Sequence, residues 1–123
     1  MAAFNSDGKV VAVGDQVTIL GGASVVTGTG PLATVTVLPL LSTSTISVVA
    51  NDCGSVDNPS DATHPAQNRN GGFFGAGDRV SVPGTVTAVS GSGNTASLTV
   101  TLGTSGGSVT VPAGSVKSAQ FNG

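Results

Sequence analysis

The sequence predicts an all-β protein of antiparallel strands, built as an internal duplication of two small β-barrel or β-sandwich units with a long central loop. Apolar and polar residues alternate with a period of two through stretches rich in Val, Thr, Ser and Gly. The chain also matches itself without a gap after a shift of 63 positions, the distance from Gly14 to Gly77. β-Branched residues and glycine disfavour a helix in nearly every window.

The alternation is clearest near the end of the second copy. There, Leu98, Val100 and Leu102 are separated by Thr99 and Thr101. Such spacing is typical of strands with one packed face and one face that presents hydroxyl groups. Each copy is therefore expected to form four or five short strands.

Glycines mark the expected turns. The segments "TGTGP" from Thr27 and "SGSGN" from Ser90 supply positive backbone angles for hairpins. Gly84 stands where a first strand is expected to turn into a second.

The self-match sets "GDQVTILGGASVVTGTGPLATVTV" from Gly14 on "GDRVSVPGTVTAVSGSGNTASLTV" from Gly77. The register continues through the next strand, where Ile46 meets Val109. The alternative is a chance match between two β-rich stretches of similar composition, but the gap-free register favours a duplication. The chain then divides into an N-terminal arm (1–13), a first β repeat (14–50), a central loop or linker (51–76), a second β repeat (77–116) and a C-terminal tail (117–123).

Whether the copies form two barrels in tandem or pair into one sandwich stays open. An apolar content of 38% spread over two small repeats leaves little core for either copy alone. We therefore expect packing between the copies or between chains, and a homo-oligomer is predicted.

Composition excludes several partners. Only 8% of residues are charged, and the four Lys and Arg residues form no basic run for a nucleic-acid backbone or an anionic membrane surface. The longest apolar run, "VLPLL", is broken by Pro39 and is too short to span a membrane. With a single cysteine and no pattern of a signal peptide at the N-terminus, the chain is expected in a reducing compartment.

No enzymatic activity, cofactor or metal is predicted. One His and one Cys exclude the usual structural zinc sites. The segment "DNPSDATH" brings Asp57, Asp61 and His64 together, and the alternative is a calcium site built from the two carboxylates and backbone carbonyls, but the Gly and bidentate Glu of an organised calcium loop are absent. Cys53 and His64 form a possible nucleophile and base, but no carboxylate is fixed by spacing to orient the base.

The pair Gly-Asp recurs at the start of both copies, as Gly14–Asp15 and Gly77–Asp78. An Asp at such a place stabilises a turn when its carboxylate accepts a hydrogen bond from a nearby backbone amide. We expect these four residues to be structural rather than to supply an acid pair.

The pattern Gly-Asp-x-Val-x-Val-x-Gly-x-Val followed by "TLGTSGGSVTVPAGSV" resembles the small β-barrels of the Src-homology type (SH3-like). The resemblance covers most of both copies and implies a fold rather than a function.

The wider profile is short, duplicated, rich in Gly, Ser, Thr and Val and poor in Lys and Glu, and it resembles the accessory structural proteins of tailed-bacteriophage virions. That resemblance implies a non-enzymatic capsid decoration or cement protein, assembled in the host cytoplasm and bound as a homo-oligomer, with a trimer favoured, to the major capsid protein or another virion protein. The alternative is a binding or adhesion module of a phage tail, fibre or surface assembly that recognises a host ligand.

The four phenylalanines are the candidate partner contacts. Phe4 and Phe121 lie in the extended ends, where they either anchor in a neighbouring subunit or cap their own barrels. Phe73 and Phe74 close the central loop, and a role as a plug at the base of a barrel is favoured over anchoring in a neighbour.

Overall fold

The computed structural model describes residues 3–54, 58, 59, 61–102 and 107–118. In this part of the chain all regular elements are strands, apart from two short 3-10 turns at Ala50–Asp52 and Ala113–Ser115. The strands are β1 Ala3–Phe4, β2 Val10–Val11, β3 Gln16–Thr27, β4 Thr34–Pro39, β5 Ile46–Val49, β6 Ala66–Gln67, β7 Phe73–Phe74, β8 Arg79–Ser90, β9 Ser97–Leu102, β10 Ser108–Pro112 and β11 Val116–Ser118.

Seven strands form one antiparallel sheet in the order β10-β9-β8-β3-β4-β5, with β11 paired to β3. Its two edge strands, β5 and β10, come within 8 Å of each other (Cα to Cα), so the sheet is a nearly closed barrel. The prediction of an all-β, antiparallel protein is confirmed.

The centre of this sheet is the pair β3–β8, in which Ile19 lies opposite Val82. We call residues 1–60 the first half and residues 64–123 the second half. Each half contributes strands to the same sheet, so of the two arrangements that the sequence leaves open, the described residues form one shared unit rather than two barrels in tandem. The shared sheet gives both halves a common core, to which each contributes buried residues.

The self-match seen in the sequence extends to the elements. Shifting β3 and β4 by 63 residues gives the bounds of β8 and β9, and the 3-10 turns correspond in the same way. A β-bulge interrupts the β3–β4 pairing between Ala23 and Val25 and the β8–β9 pairing between Val86 and Ala88, again 63 residues apart.

Strands β3 and β8 are 12 residues long, so the expectation that a strand ends at Gly84 is wrong. Gly84 lies inside β8, and a Cβ atom placed there meets the Thr101 carbonyl oxygen at 2.6 Å. A Cβ atom on Gly21 meets the Leu38 carbonyl oxygen at the same distance. Because the long strand leaves one neighbour for another here, the backbones approach too closely for a side chain.

The two glycine-rich hairpin turns are confirmed. Gly28 and Gly30 have φ angles of 93° and 75°, and Gly91 and Gly93 have φ angles of 92° and 73°. These left-handed conformations let each long strand reverse into the next one.

Residues 51–76 are not one long loop. They contain β6 and β7, which pair as a small hairpin, and the N-terminal segment forms the equivalent hairpin from β1 and β2. In each hairpin turn an asparagine Oδ1 accepts two backbone amides: Asn5 from Asp7 (2.8 Å) and Lys9 (3.0 Å), and Asn68 from Asn70 and Gly72 (both 3.0 Å).

Each small hairpin is bonded to the opposite half. In the first hairpin, the Phe4 amide donates to the Gly93 carbonyl (3.0 Å) and the Ser6 amide to the Val116 carbonyl (2.9 Å). In the second hairpin, the Gln67 amide donates to Gly30 and the Arg69 amide to Cys53, both at 3.0 Å. The halves are therefore interlocked as well as joined by the sheet.

The barrel interior is filled mainly by valine. Ile19, Val82 and Leu98 are fully buried there, and Phe74 of the small hairpin β6–β7 is fully buried in the same core cluster. Outward positions on the same strands are mostly Thr and Ser, as the period of two predicts.

Candidate functional site

The structure separates the predicted phenylalanine contacts. Phe74 is fully buried in the core, its neighbour Phe73 is half-buried, and Phe4 is 38% exposed on the opposite small hairpin. Phe74 thus occupies a core position, and Phe121 lies outside the described residues. The three described phenylalanines do not form one surface.

The two Gly-Asp pairs sit in equivalent turns. Asp15 Oδ2 accepts the Ala12 amide and Asp78 Oδ2 accepts the Gly75 amide, each at 2.9 Å. The preceding residues, Gly14 and Gly77, have φ angles of 97° and 96°. The carboxylates are therefore used to fix the chain before β3 and β8.

His64 lies between two carboxylates. Its Nδ1 is 2.8 Å from Asp61 Oδ1, and its Nε2 is 3.8 Å from Asp78 Oδ2. The pKa of the Asp61 carboxyl is lowered, first by the hydrogen bond from the Thr63 side chain and to a smaller extent by the hydrogen bond from His64. Because the carboxylates face opposite ring nitrogens, they do not converge on one point, and no group of three His, Cys, Asp or Glu side chains in the described residues is arranged to hold a metal ion. Asp57, the second carboxylate of the alternative calcium site, lies outside those residues.

Cys53 is fully buried, with its Sγ 3.9 Å from the Val49 carbonyl oxygen. Burial, followed by the nearby Asp52 carboxylate, raises the pKa of the Cys53 thiol to about 12. The thiol is therefore protonated at neutral pH, and a protonated thiol is a poor nucleophile.

The first half carries an apolar outer surface. Leu38 and Leu40 are 41% and 40% exposed, Leu41 is 65% exposed and Leu20 is half-buried. Leu38 and Leu40 occupy outward positions in and just after β4, where the inward residues are valines and Pro39. We call these four leucines the apolar face.

Among the described residues of the second half, the same strands lack this surface. The residue equivalent to Leu38 is Thr101, and the residue equivalent to Leu20 is Pro83. Because β9 takes the same place in the barrel with a threonine on its outer side, the fold does not require leucine there. A group of exposed apolar side chains that the fold does not require indicates a site of interaction.

Leu41 adds a backbone feature to the apolar face. Among the described residues it is the only one other than glycine with a positive φ, 62°. Its Cδ1 lies over Gly114, at a place where a Cβ atom has no room. A left-handed leucine costs about 1–2 kcal/mol, and such strained residues cluster at functional sites.

A groove of about 480 Å³ opens beside the apolar face, where β3 and β8 part. It is lined by Leu20, Leu40, Val80, Gly22 and Arg79, together with three small residues, and we call it the Arg79 groove. At the equivalent positions on the other side of the barrel, Gln16 replaces Arg79, Thr85 replaces Gly22 and Pro83 replaces Leu20.

Sequence reasoning missed the apolar face and the Arg79 groove. From the sequence, the run "VLPLL" is recognised only as too short for a membrane span. The sequence signal for the apolar face is a difference between the two copies. The copies keep their inward apolar residues, but outward leucines of the first copy align with Thr and Pro in the second.

No protein-family model, curated protein or solved structure matches the chain. None of the described residues belongs to a helix long and apolar enough to cross a membrane. The functional assignment therefore depends on the geometry of the apolar face.

Proposed function

We propose that the protein is a non-enzymatic virion structural protein, a capsid decoration or cement protein of a tailed bacteriophage, and that the apolar face is its contact with the shell. The observation that carries the proposal is the restriction of this face to one half of a barrel whose halves share the same strands. Outward leucines that the fold does not need are best explained by a partner that covers them.

A decoration or cement protein can bind the shell firmly even when each copy buries only a modest contact area. On a symmetric lattice, many copies contribute at once, so weak individual contacts give a firm assembly. We propose a homo-oligomer, with a trimer favoured, on the capsid surface and the major capsid protein or another virion protein as the partner.

We further propose that the halves arose by duplication of a unit resembling the Src-homology-type barrels. The shared spacing of 63 residues between equivalent strands, bulges and turns supports this origin. Duplication leaves two equivalent outer surfaces, of which one is free to acquire a partner while the other stays polar.

Co-sedimentation with purified empty shells from the same source tests the shell-binding role. The wild-type chain is expected to bind saturably at a fixed ratio to capsid subunits. Leu38→Thr, which copies Thr101 of the second half, is expected to weaken binding about tenfold, since it removes most of one exposed leucine from the contact. Val13→Thr is the matched control, because Val13 is 62% exposed and lies outside the apolar face.

A folded wild-type chain that ignores shells overturns the proposal. The search then moves to the alternative, a binding or adhesion module of a tail, fibre or surface assembly that recognises a host ligand. Equal loss of binding in Leu38→Thr and Val13→Thr shows that the apolar face is not the contact.

A further inference from the structure

We propose that the Arg79 groove binds an extended peptide segment of the partner protein, with one apolar side chain seated between Leu20 and Leu40 and a neighbouring carboxylate on the Arg79 guanidinium. This inference deepens the proposed function and rests on it, since it names the chemistry that the partner presents to the apolar face.

The size and lining of the groove can accommodate an apolar side chain together with its flanking backbone. Its volume of about 480 Å³ lies in the lower part of the usual range of ligand sites. Leu20, Leu40 and Val80 supply apolar walls. Gly22 leaves the floor open, because a Cβ atom placed there has no neighbour closer than the Asp78 carbonyl oxygen at 4.0 Å.

The positive charge of Arg79 favours a partner that presents a carboxylate. It is exposed, and no carboxylate of the described residues lies within 4.0 Å of its guanidinium. The Oδ2 atom of the adjacent Asp78 instead accepts the Gly75 amide at 2.9 Å and the Asn58 side-chain amide at 3.3 Å. An arginine beside an apolar groove can bind a carboxylate through two parallel hydrogen bonds.

The pseudo-equivalent position on the other side of the barrel provides an internal comparison. There, Gln16 carries no charge and Thr85 places a β-branched side chain where Gly22 leaves space. The backbone at these positions thus accepts Gln and Thr. The fold therefore does not require the open floor at Gly22 or the positive charge of Arg79.

A second copy of this chain fits the groove poorly. In a two-fold contact centred on the groove, Arg79 of each copy faces the same cation of the other. Like charges at an interface oppose association. A partner segment that carries an acidic residue next to an apolar residue satisfies both parts of the groove.

NMR titration of the labelled full chain tests the proposal. The probes are two synthetic peptides, acetyl-Ser-Leu-Asp-Ser-amide and acetyl-Ser-Leu-Asn-Ser-amide, which differ only in the carboxylate. We expect saturable shifts of the Gly22, Arg79 and Ser81 amides, with the Asp peptide binding about tenfold more tightly at low salt.

Two variants introduce the residues found at the equivalent positions of the other half, Gln16 and Thr85. Arg79→Gln is expected to remove the difference between the peptides, and Gly22→Thr to weaken both by narrowing the groove. Arg69→Gln is the matched control, because Arg69 is an exposed cation on the small hairpin β6–β7 turn and should leave the tenfold difference intact. Thermal unfolding of each variant checks that the fold is kept.

Three outcomes overturn the groove assignment: an absence of saturable shifts, equal binding of both peptides to the wild type, or shifts that depend on protein concentration alone, which identify a second copy as the occupant. Failure here is distinct from failure of the shell-binding role. If Arg79→Gln binds shells as the wild type does while Leu38→Thr does not, the groove assignment fails and the shell-binding role stands.

Discussion

Ile19 on β3 lies directly opposite Val82 on β8, and the two residues occupy the same position in the two halves of the chain. Both are fully buried. The flanking pairs, Val17 with Gly84 and Gly21 with Val80, exchange when the halves are exchanged. A pseudo-two-fold axis therefore passes between Ile19 and Val82, and each half is the principal packing partner of the other.

The first prediction concerns two adjacent glycines of β3. Gly21→Ala brings a Cβ atom to 2.6 Å from the Leu38 carbonyl oxygen, whereas Gly22→Ala meets nothing closer than 4.0 Å. We expect Gly21→Ala to lower the free energy of unfolding by about 2 kcal/mol, as overpacked sites do. Gly22→Ala should be neutral or slightly stabilising, since alanine restricts the unfolded chain more than glycine. Urea unfolding measures both, and similar values for the two variants would contradict the close approach at Gly21.

The second prediction concerns the asparagine that closes the first small hairpin. Asn5 is 3% exposed, and its Oδ1 accepts the amides of Asp7 and Lys9. Asn5→Ala removes both bonds and should cost about 1–3 kcal/mol of stability. Asn5→Asp keeps the acceptor and should cost less. Thermal unfolding distinguishes the two, and an unchanged melting temperature for Asn5→Ala would show that the turn is held by its backbone alone.

The third prediction concerns pH. Because the pKa of the Cys53 thiol is raised from 9.0 to about 12, the unfolded thiol loses its proton before the folded one does. Between pH 9.0 and about 12 stability should therefore fall as the pH rises, by up to about 1.4 kcal/mol per pH unit from this group.

The control for the pH prediction is Cys53→Val, which copies the buried Val116 of the second half. This variant should fold and should lose less stability than the wild type between pH 8 and pH 10 in urea unfolding. Equal losses in the two proteins would mean that other groups cause the alkaline instability.

The fourth prediction concerns the interlocked halves. The first small hairpin bonds to Gly93 and Val116, and the second bonds to Gly30 and Cys53. Separately expressed fragments 1–60 and 61–123 should therefore be unfolded as monomers, and mixing them should restore the β-sheet circular dichroism of the whole chain. A fragment that folds as a monomer would show that one half builds a core without the other.

Much of the fold could be predicted from local pattern. The alternation of Leu98, Thr99 and Val100 predicted which face of β9 is buried, and the glycines of "TGTGP" and "SGSGN" predicted two hairpin turns with positive φ. These features depend on residues close together in the sequence.

The small hairpins escaped prediction because their strands have two residues each, too few for a period to be recognised. Their sequence signal is the recurrence of "NSDG" at Asn5 and "NRNG" at Asn68, which extends the self-match towards the N-terminus. The candidate site escaped for a different reason: alternation places Leu38 and Leu40 on the outer side, but it does not say whether another element covers them.

The sequence by itself determined that the chain is all-β, that its inward residues are mainly valine and that its two halves correspond after a shift of 63 positions. Only the tertiary structure decided that the halves share one barrel through Ile19 and Val82, that each small hairpin bonds to the opposite half and that the leucines of the apolar face stay uncovered. The physical reason is that a strand's own residues fix which face it buries, whereas the identity of its neighbours depends on backbone hydrogen bonds and core packing between segments far apart in the chain.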